Sequence, residues 1–173
     1  GQSGGVISLP QTGQKKSYRA GDDGDLKMGV PWPKTRFTVS GACVVDNLTG
    51  LSWSKDANLS KSKKTWQEAI DYANSLVLCD YADWRLPNRK ELLSLMDYSN
   101  SGGLPKGHPF ANVKSNSYWL SSTFVGDYKW TIDMPGGIYW NTENNYYVWP
   151  VRGNSLCTDK DQDGYSKQGG DCG

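Results

Sequence analysis

The chain has no apolar run approaching the roughly 20 residues that cross a bilayer as a helix, so insertion into a membrane by that route is not expected. An excess of charge is missing too: 19 lysines and arginines stand against 18 aspartates and glutamates, which leaves no global field to draw in nucleic acid. Only one histidine, His108, is present and no CxxC pair occurs, which argues against a zinc site. His108 lies in a Gly/Pro loop beside Pro109 and reads as a surface residue, not as the base of a nucleophilic triad. The N-terminus lacks the basic-then-apolar pattern of a signal peptide, so any export signal is expected to have been removed, and Gly1 to Gly5 reads as a linker or tag remnant.

What the chain does have is 8 Trp, 10 Tyr and 20 Gly beside only 3 Phe and 3 Met, a balance common in loop-heavy extracellular folds. More than half of the aromatics are expected to fill the core, because large rings supply much burial per residue. A length of 173 residues suits one domain with a small extra element. The cysteines are Cys43, Cys79, Cys157 and Cys172. Pairing Cys43 with Cys79 and Cys157 with Cys172 brackets two compact segments, whereas either alternative joins the tail to the body. Disulfides would place the protein in an oxidising compartment: secreted, at the cell surface or in the periplasm.

Residues 1–34 carry too many breakers for a helix or a long strand and read as an irregular lead-in, with Asp22 to Asp25 as a plain turn. Extended runs follow at Arg36 to Val39 and Cys43 to Asp46. A turn at Asn47 to Gly50 then leads into Leu51 to Ser54, which predicts a hairpin. Trp66, Ala69, Ile70, Ala73, Leu76 and Val77 recur at helical spacing behind a Thr65–Glu68 capping box, predicting a helix from Trp66 to about Leu78. Asn88 as cap and Glu91 three residues on predict a second helix running to about Tyr98. Strands are expected at Tyr118 to Thr123, Tyr128 to Asp133, Ile138 to Thr142 and Tyr146 to Val151. Helices followed by strands imply an α+β domain over 35–153.

Several motifs then fall in order: Asp46-Asn47-Leu48-Thr49-Gly50-Leu51-Ser52-Trp53, Trp66-Gln67-Glu68-Ala69, Asp83-Trp84-Arg85-Leu86-Pro87-Asn88-Arg89-Lys90-Glu91-Leu92, Ser117-Tyr118-Trp119-Leu120-Ser121-Ser122 and Val148-Trp149-Pro150-Val151-Arg152-Gly153. From about Phe37 to Gly153 the chain resembles the bacterial domain family at the C-terminus of the Legionella collagen-like adhesin. The resemblance implies a C-type-lectin-like fold of the formylglycine-generating-enzyme branch, with two helices, small twisted antiparallel sheets and many loops. Read as residues alone, Trp84, Leu86 and Leu92 are core, and Arg85 with Glu91 is an ion pair that fixes loops. The relatives' oxidase chemistry needs a cysteine pair in the strand-rich half, and none lies between Asp80 and Leu156.

The tail, 154–173, loses its hydrophobic residues. Asp159, Asp161 and Asp163 alternate ahead of Gly164, an arrangement that wraps oxygens around a calcium ion, with the Tyr165 carbonyl as a further ligand. An EF-hand would want Glu at the twelfth position, where Gly170 stands. The segment resembles the thrombospondin type 3 and bacterial metal-binding repeats that end in Gly-Asp-Cys, which adds Asp171 as a ligand and Cys157–Cys172 as a staple. The competing reading is a solvated acidic terminus without an ion.

The function expected from the sequence is an extracellular, non-catalytic, adhesin-like binding module for a glycan or a surface protein. Its ligand face would gather Tyr128, Trp130, Tyr139, Trp140, Asn141, Asn144, Asn145, Tyr146 and Tyr147, because aromatic faces stack on sugar rings and amides grip hydroxyls. The rivals are a structural spacer with a calcium-stiffened tail, and a glycan hydrolase using carboxylates among Asp127, Asp133 and Glu143.

Overall fold

The computed structural model describes residues 9–99, 103–124, 127–134, 137–141 and 144–153. Strand β1 (Phe37–Ser40) folds back on β2 (Cys43–Asp46), with Ser40 facing Cys43 across the turn. Asp46 then shapes the next turn: its carboxylate accepts from the Leu48 N–H at 3.0 Å and its carbonyl from the Gly50 N–H at 2.7 Å. Gly50 sits at φ 74°, a conformation that costs glycine nothing and a side chain a good deal. The chain re-enters as β3 (Ser52–Ser54), antiparallel to β2.

Helix α2 (Trp66–Asn74) starts at the expected capping box, with the Thr65 hydroxyl accepting from Glu68 N–H and the Glu68 carboxylate from Thr65 N–H. It ends one turn earlier than the apolar spacing predicts. Leu78 and Tyr81 are needed elsewhere: they exchange backbone hydrogen bonds of 3.0 and 3.1 Å around Cys79 and Asp80, both left-handed at φ 52° and 65°. That tight turn presents Cys79 to Cys43, and the disulfide forms as expected. Cys157 and Cys172 lie outside the described residues.

Helix α3 (Arg89–Ser94) begins at the Asn88 cap and also stops early. Beyond it Asp97 N–H goes to the Gly103 carbonyl at 2.7 Å and Tyr98 N–H to Thr12 at 3.1 Å, so those donors serve the loop and the lead-in instead of another helical turn. The lead-in corrects a second expectation. Asp22 to Asp25 is not a plain turn, since Asp22 caps a single helical turn, α1 (Asp23–Leu26), by accepting from Asp25 N–H.

Strands β4 (Ser117–Thr123), β5 (Lys129–Asp133) and β6 (Gly137–Asn141) form an antiparallel sheet in that order. The expected strand over Tyr146 to Val151 is only partly one. Tyr146 bridges to Lys64 and Tyr147 to Tyr118, Pro150 has no N–H to give, and β7 (Val151–Arg152) then joins β3 in the other sheet, of order β1-β2-β3-β7. The segment is a crossover between sheets, and its alternation has a purpose. Tyr146 and Val148 point into a small cluster with Trp119, Leu86, Ala69 and Ala73, while Tyr147 and Trp149 point into the main core with Trp53, Phe110, Tyr118 and Leu92. The architecture is thus α+β with antiparallel sheets.

Four tryptophans staple this core as well as fill it, each giving its indole N–H to a backbone carbonyl. Trp149 donates to Ser54 O at 3.0 Å, Trp119 to Lys64 O at 2.7 Å, Trp66 to Leu120 O at 2.8 Å and Trp84 to Leu78 O at 3.2 Å.

Arg36 makes the one ion pair buried on both sides among the described residues, with side-chain exposures of 7% for Arg36 and 0% for Asp46. Its guanidinium donates to both Asp46 oxygens and to the Ser94 carbonyl, and stacks 4.1 Å from the Trp32 ring. Lead-in, first sheet and α3 therefore meet on one cation. Removing one partner strands a buried charge, so Asp46→Ala should cost about 3–5 kcal/mol in urea denaturation. Lys61→Ala, which breaks the exposed pair with Asp56, should cost no more than about 1 kcal/mol. Equal losses would show that the buried clamp carries no special weight.

Candidate functional site

Strand alternation places Ser117, Trp119 and Asp133 on one face of the β4–β6 sheet, with Ser117 directly opposite Asp133. The Ser117 hydroxyl donates to Asp133 Oδ1. Just before the strand, Asn116 Oδ1 accepts from the Ser117 N–H at 3.0 Å. The crossover supplies the opposite wall: Lys64 and Tyr146 exchange backbone hydrogen bonds of 2.9 and 3.0 Å, which sets Lys63 and Asn145 on either side of the bridge. Tyr146 stands edge-on to Trp119 at 4.9 Å, and its hydroxyl accepts from Asn144 Nδ2 at 3.2 Å.

These residues enclose a solvent-open groove of about 400 Å³ lined by Lys63, Ser115, Asn116, Ser117, Asp133, Asn144, Asn145 and Tyr146. Its walls are hydroxyl, amide, carboxylate and ammonium, with Tyr146 as the aromatic element. Tyr139 stands on the neighbouring strand, β6. Gly137 pairs with Asp133 across the sheet, and a Cβ on Gly137 would lie 2.7 Å from Tyr139 Cε2 and 2.9 Å from its hydroxyl. The half-exposed Tyr139 ring therefore leans back over Gly137 on the side of Asp133, a position only glycine leaves open.

The residues expected at the ligand face are divided by this geometry. Asn144, Asn145 and Tyr146 line the groove, while Tyr139 packs over Gly137 on the neighbouring strand and is not part of the lining. Tyr147 points the other way, its ring 5.7 Å from Tyr118 at the main core. Trp130 is on the opposite face of β5, edge-on to Phe124 at 5.2 Å with the Arg89 guanidinium 5.3 Å above it. Tyr128 precedes β5 and is partly exposed. The side chains of Trp140 and Asn141 lie outside the described residues, as do Glu143 and the tail residues Asp159, Asp161, Asp163, Tyr165 and Asp171.

Lys63, Ser115, Asn116 and Ser117 were not expected at a site. Their sequence signal is that of an ordinary polar loop entering a strand, and only the sheet register brings them to Asp133. Of the carboxylates considered for hydrolysis, Asp127 precedes β5 and Asp133 ends it. Asp127 lies in the turn before the strand, and Asp133 lines the groove.

His108 is a correction. It is half-buried rather than on the surface, with Nδ1 shut away from water and its ring 5.8 Å from Phe110, and burial lowers its pKa below the ordinary 6.5. Arg85 and Glu91 pair as expected, through bonds of 2.8 and 2.6 Å, and Glu91 also closes the α3 cap by accepting from Asn88 N–H.

The family model of the Lcl C-terminal domain matches residues 42–152. The chain belongs to that family. No curated protein and no solved structure matches it.

The Trp-Arg-Leu-Pro signature has a structural meaning in this Lcl C-terminal domain. Arg85 exchanges backbone hydrogen bonds of 2.9 and 3.0 Å with Val151, and Arg152 grips Asp83 at 2.6 and 3.0 Å while lying 3.6 Å from the Tyr81 ring. The motif is the seam that holds β7 in place. Hydrogen bonding from Arg152 keeps the Asp83 carboxyl below its ordinary 3.8. A pKa depressed on folding stabilises above the unfolded value, and the contribution disappears as pH falls through the folded value. The urea midpoint should therefore drop below about pH 4, with a shallower acid limb in Asp83→Asn. An acid limb of unchanged slope in that variant would mean the seam is not ionically held.

Proposed function

We propose that this Lcl C-terminal domain is a non-catalytic extracellular recognition module of C-type-lectin-like fold that holds a glycan in the Ser117–Asp133 groove. The observation that carries the reading is the composition of the groove. Hydroxyl, amide and carboxylate groups converge there with Tyr146 alongside, the set that binds a sugar by hydrogen bonds to its hydroxyls and contact with its ring. A protein partner would instead seek a desolvated pocket for an aromatic or arginine anchor, and this groove is open and polar. The Arg85–Glu91 and Asp83–Arg152 pairs are committed to the scaffold, which supports a binding role over a catalytic one.

The Cys43–Cys79 bridge fits an oxidising compartment, and secretion or surface display is part of the proposal. So is calcium in the tail, for which the support is the spacing of Asp159, Asp161 and Asp163.

A glycan array tests the central part. Asn145 is exposed, so Asn145→Ala removes a groove amide without disturbing the core. The wild-type domain should bind at least one saccharide reproducibly, and the variant should bind it about fivefold more weakly, the worth of one hydrogen bond. Silence of the wild type across the array would overturn the assignment.

A further inference from the structure

We infer that the groove selects an uncharged hexose with free hydroxyls, and discriminates against sulfated, uronic and N-acetylated sugars. This rests on the glycan-binding reading and narrows it.

The first argument is charge. One ammonium, Lys63, and one carboxylate, Asp133, line the groove, so its walls carry no net charge. The sequence around Lys63 looks basic, with Lys61 and Lys64 beside it, but these cations are held elsewhere. Lys61 pairs with Asp56 at 3.0 Å, and Lys64 lies 5.3 Å over the Tyr72 ring. Lys129, on the groove face of β5, lies 5.5 Å over Trp66. Lys63 itself sits 5.3 Å over Tyr147. An anionic substituent would meet one partly engaged ammonium and the full charge of Asp133, which like-charge repulsion makes unfavourable.

The second argument is hydrogen-bonding capacity. Asp133 Oδ1 receives the Ser117 hydroxyl, and Oδ2 has no partner among the described residues, leaving an acceptor oxygen in the groove wall. A carboxylate accepts only, so it suits hydroxyl donors and rejects sulfate and carboxylate oxygens. The third is the scarcity of apolar wall. Apart from Tyr146 the lining is polar, so the methyl of an N-acetyl group would find no apolar contact to repay its transfer from water. Tyr146, the aromatic group of the lining, is left as the contact for the pyranose ring itself.

Ligand-observed NMR and calorimetry with the methyl glycosides of glucose, galactose and mannose, against glucuronate, galactose 6-sulfate and N-acetylglucosamine, test the inference. At least one neutral glycoside should bind, with an affinity insensitive to salt and about tenfold or more above the charged and acetylated sugars. Asp133→Asn should weaken it about tenfold or more, as expected for a charge-assisted bond. Should that variant not fold, Asn145→Ala carries the same direction of change. Preferred binding of sulfated or uronic sugars, lost at high salt, would overturn the neutral-hexose class and leave the glycan reading intact. So would array binding that depends on Asn145 without any neutral hexoside bound. Neutral binding unchanged in both variants would place the ligand elsewhere on the domain, and absence of binding to every saccharide would remove both claims.

Discussion

The extended crossover from Tyr146 to Arg152 is the constraint on which the rest depends. Four consecutive side chains alternate between two hydrophobic clusters, and the backbone on either side pairs first with the loop at Lys64 and β4, then with β3 and Arg85. A segment pinned in this way has one register, because a slip of a single residue would turn Trp149 and Tyr147 away from the core and bring Tyr146 and Val148 into it. The same register fixes Asn144 and Asn145 over Asp133. The groove is therefore a by-product of the packing that joins the sheets.

Much of the local structure was legible in the sequence because it is decided locally. The Thr65–Glu68 and Asn88–Glu91 boxes mark both helix starts, since a cap is an exchange between residues three apart. β2 keeps its expected bounds, and the disulfide joins the pair that brackets one compact segment. The helix ends were less legible, because Leu78 and Asp97 are drawn away by partners distant in the chain. Alternation at Tyr146 to Val151 announced an extended segment, yet period two does not say which neighbours an extended segment will have.

The site divides in the same way. Asn144 and Asn145 were expected at a ligand face for their amides, and they line the groove. Trp130 and Tyr147 looked equally suited to a sugar, but aromatic rings are the largest source of burial available, and these two are turned toward packing. Asn116, Ser117 and Lys63 resemble any hydrophilic loop, and their juxtaposition depends on the β4–β5 register and the Lys64–Tyr146 bridge. Arg36 and Asp46 were equally silent, being ten residues apart and joined only because the hairpin turns between them.

The measurement that bears most directly on the groove as the ligand site is an amide chemical-shift map recorded while a saccharide is titrated into the isotope-labelled domain. The account predicts that the shifted resonances cluster at Ser115 to Ser117, Asp133 and Asn144 to Tyr146. Shifts gathered instead at Phe124, Trp130 and Arg89, on the far face of the same sheet, would contradict it.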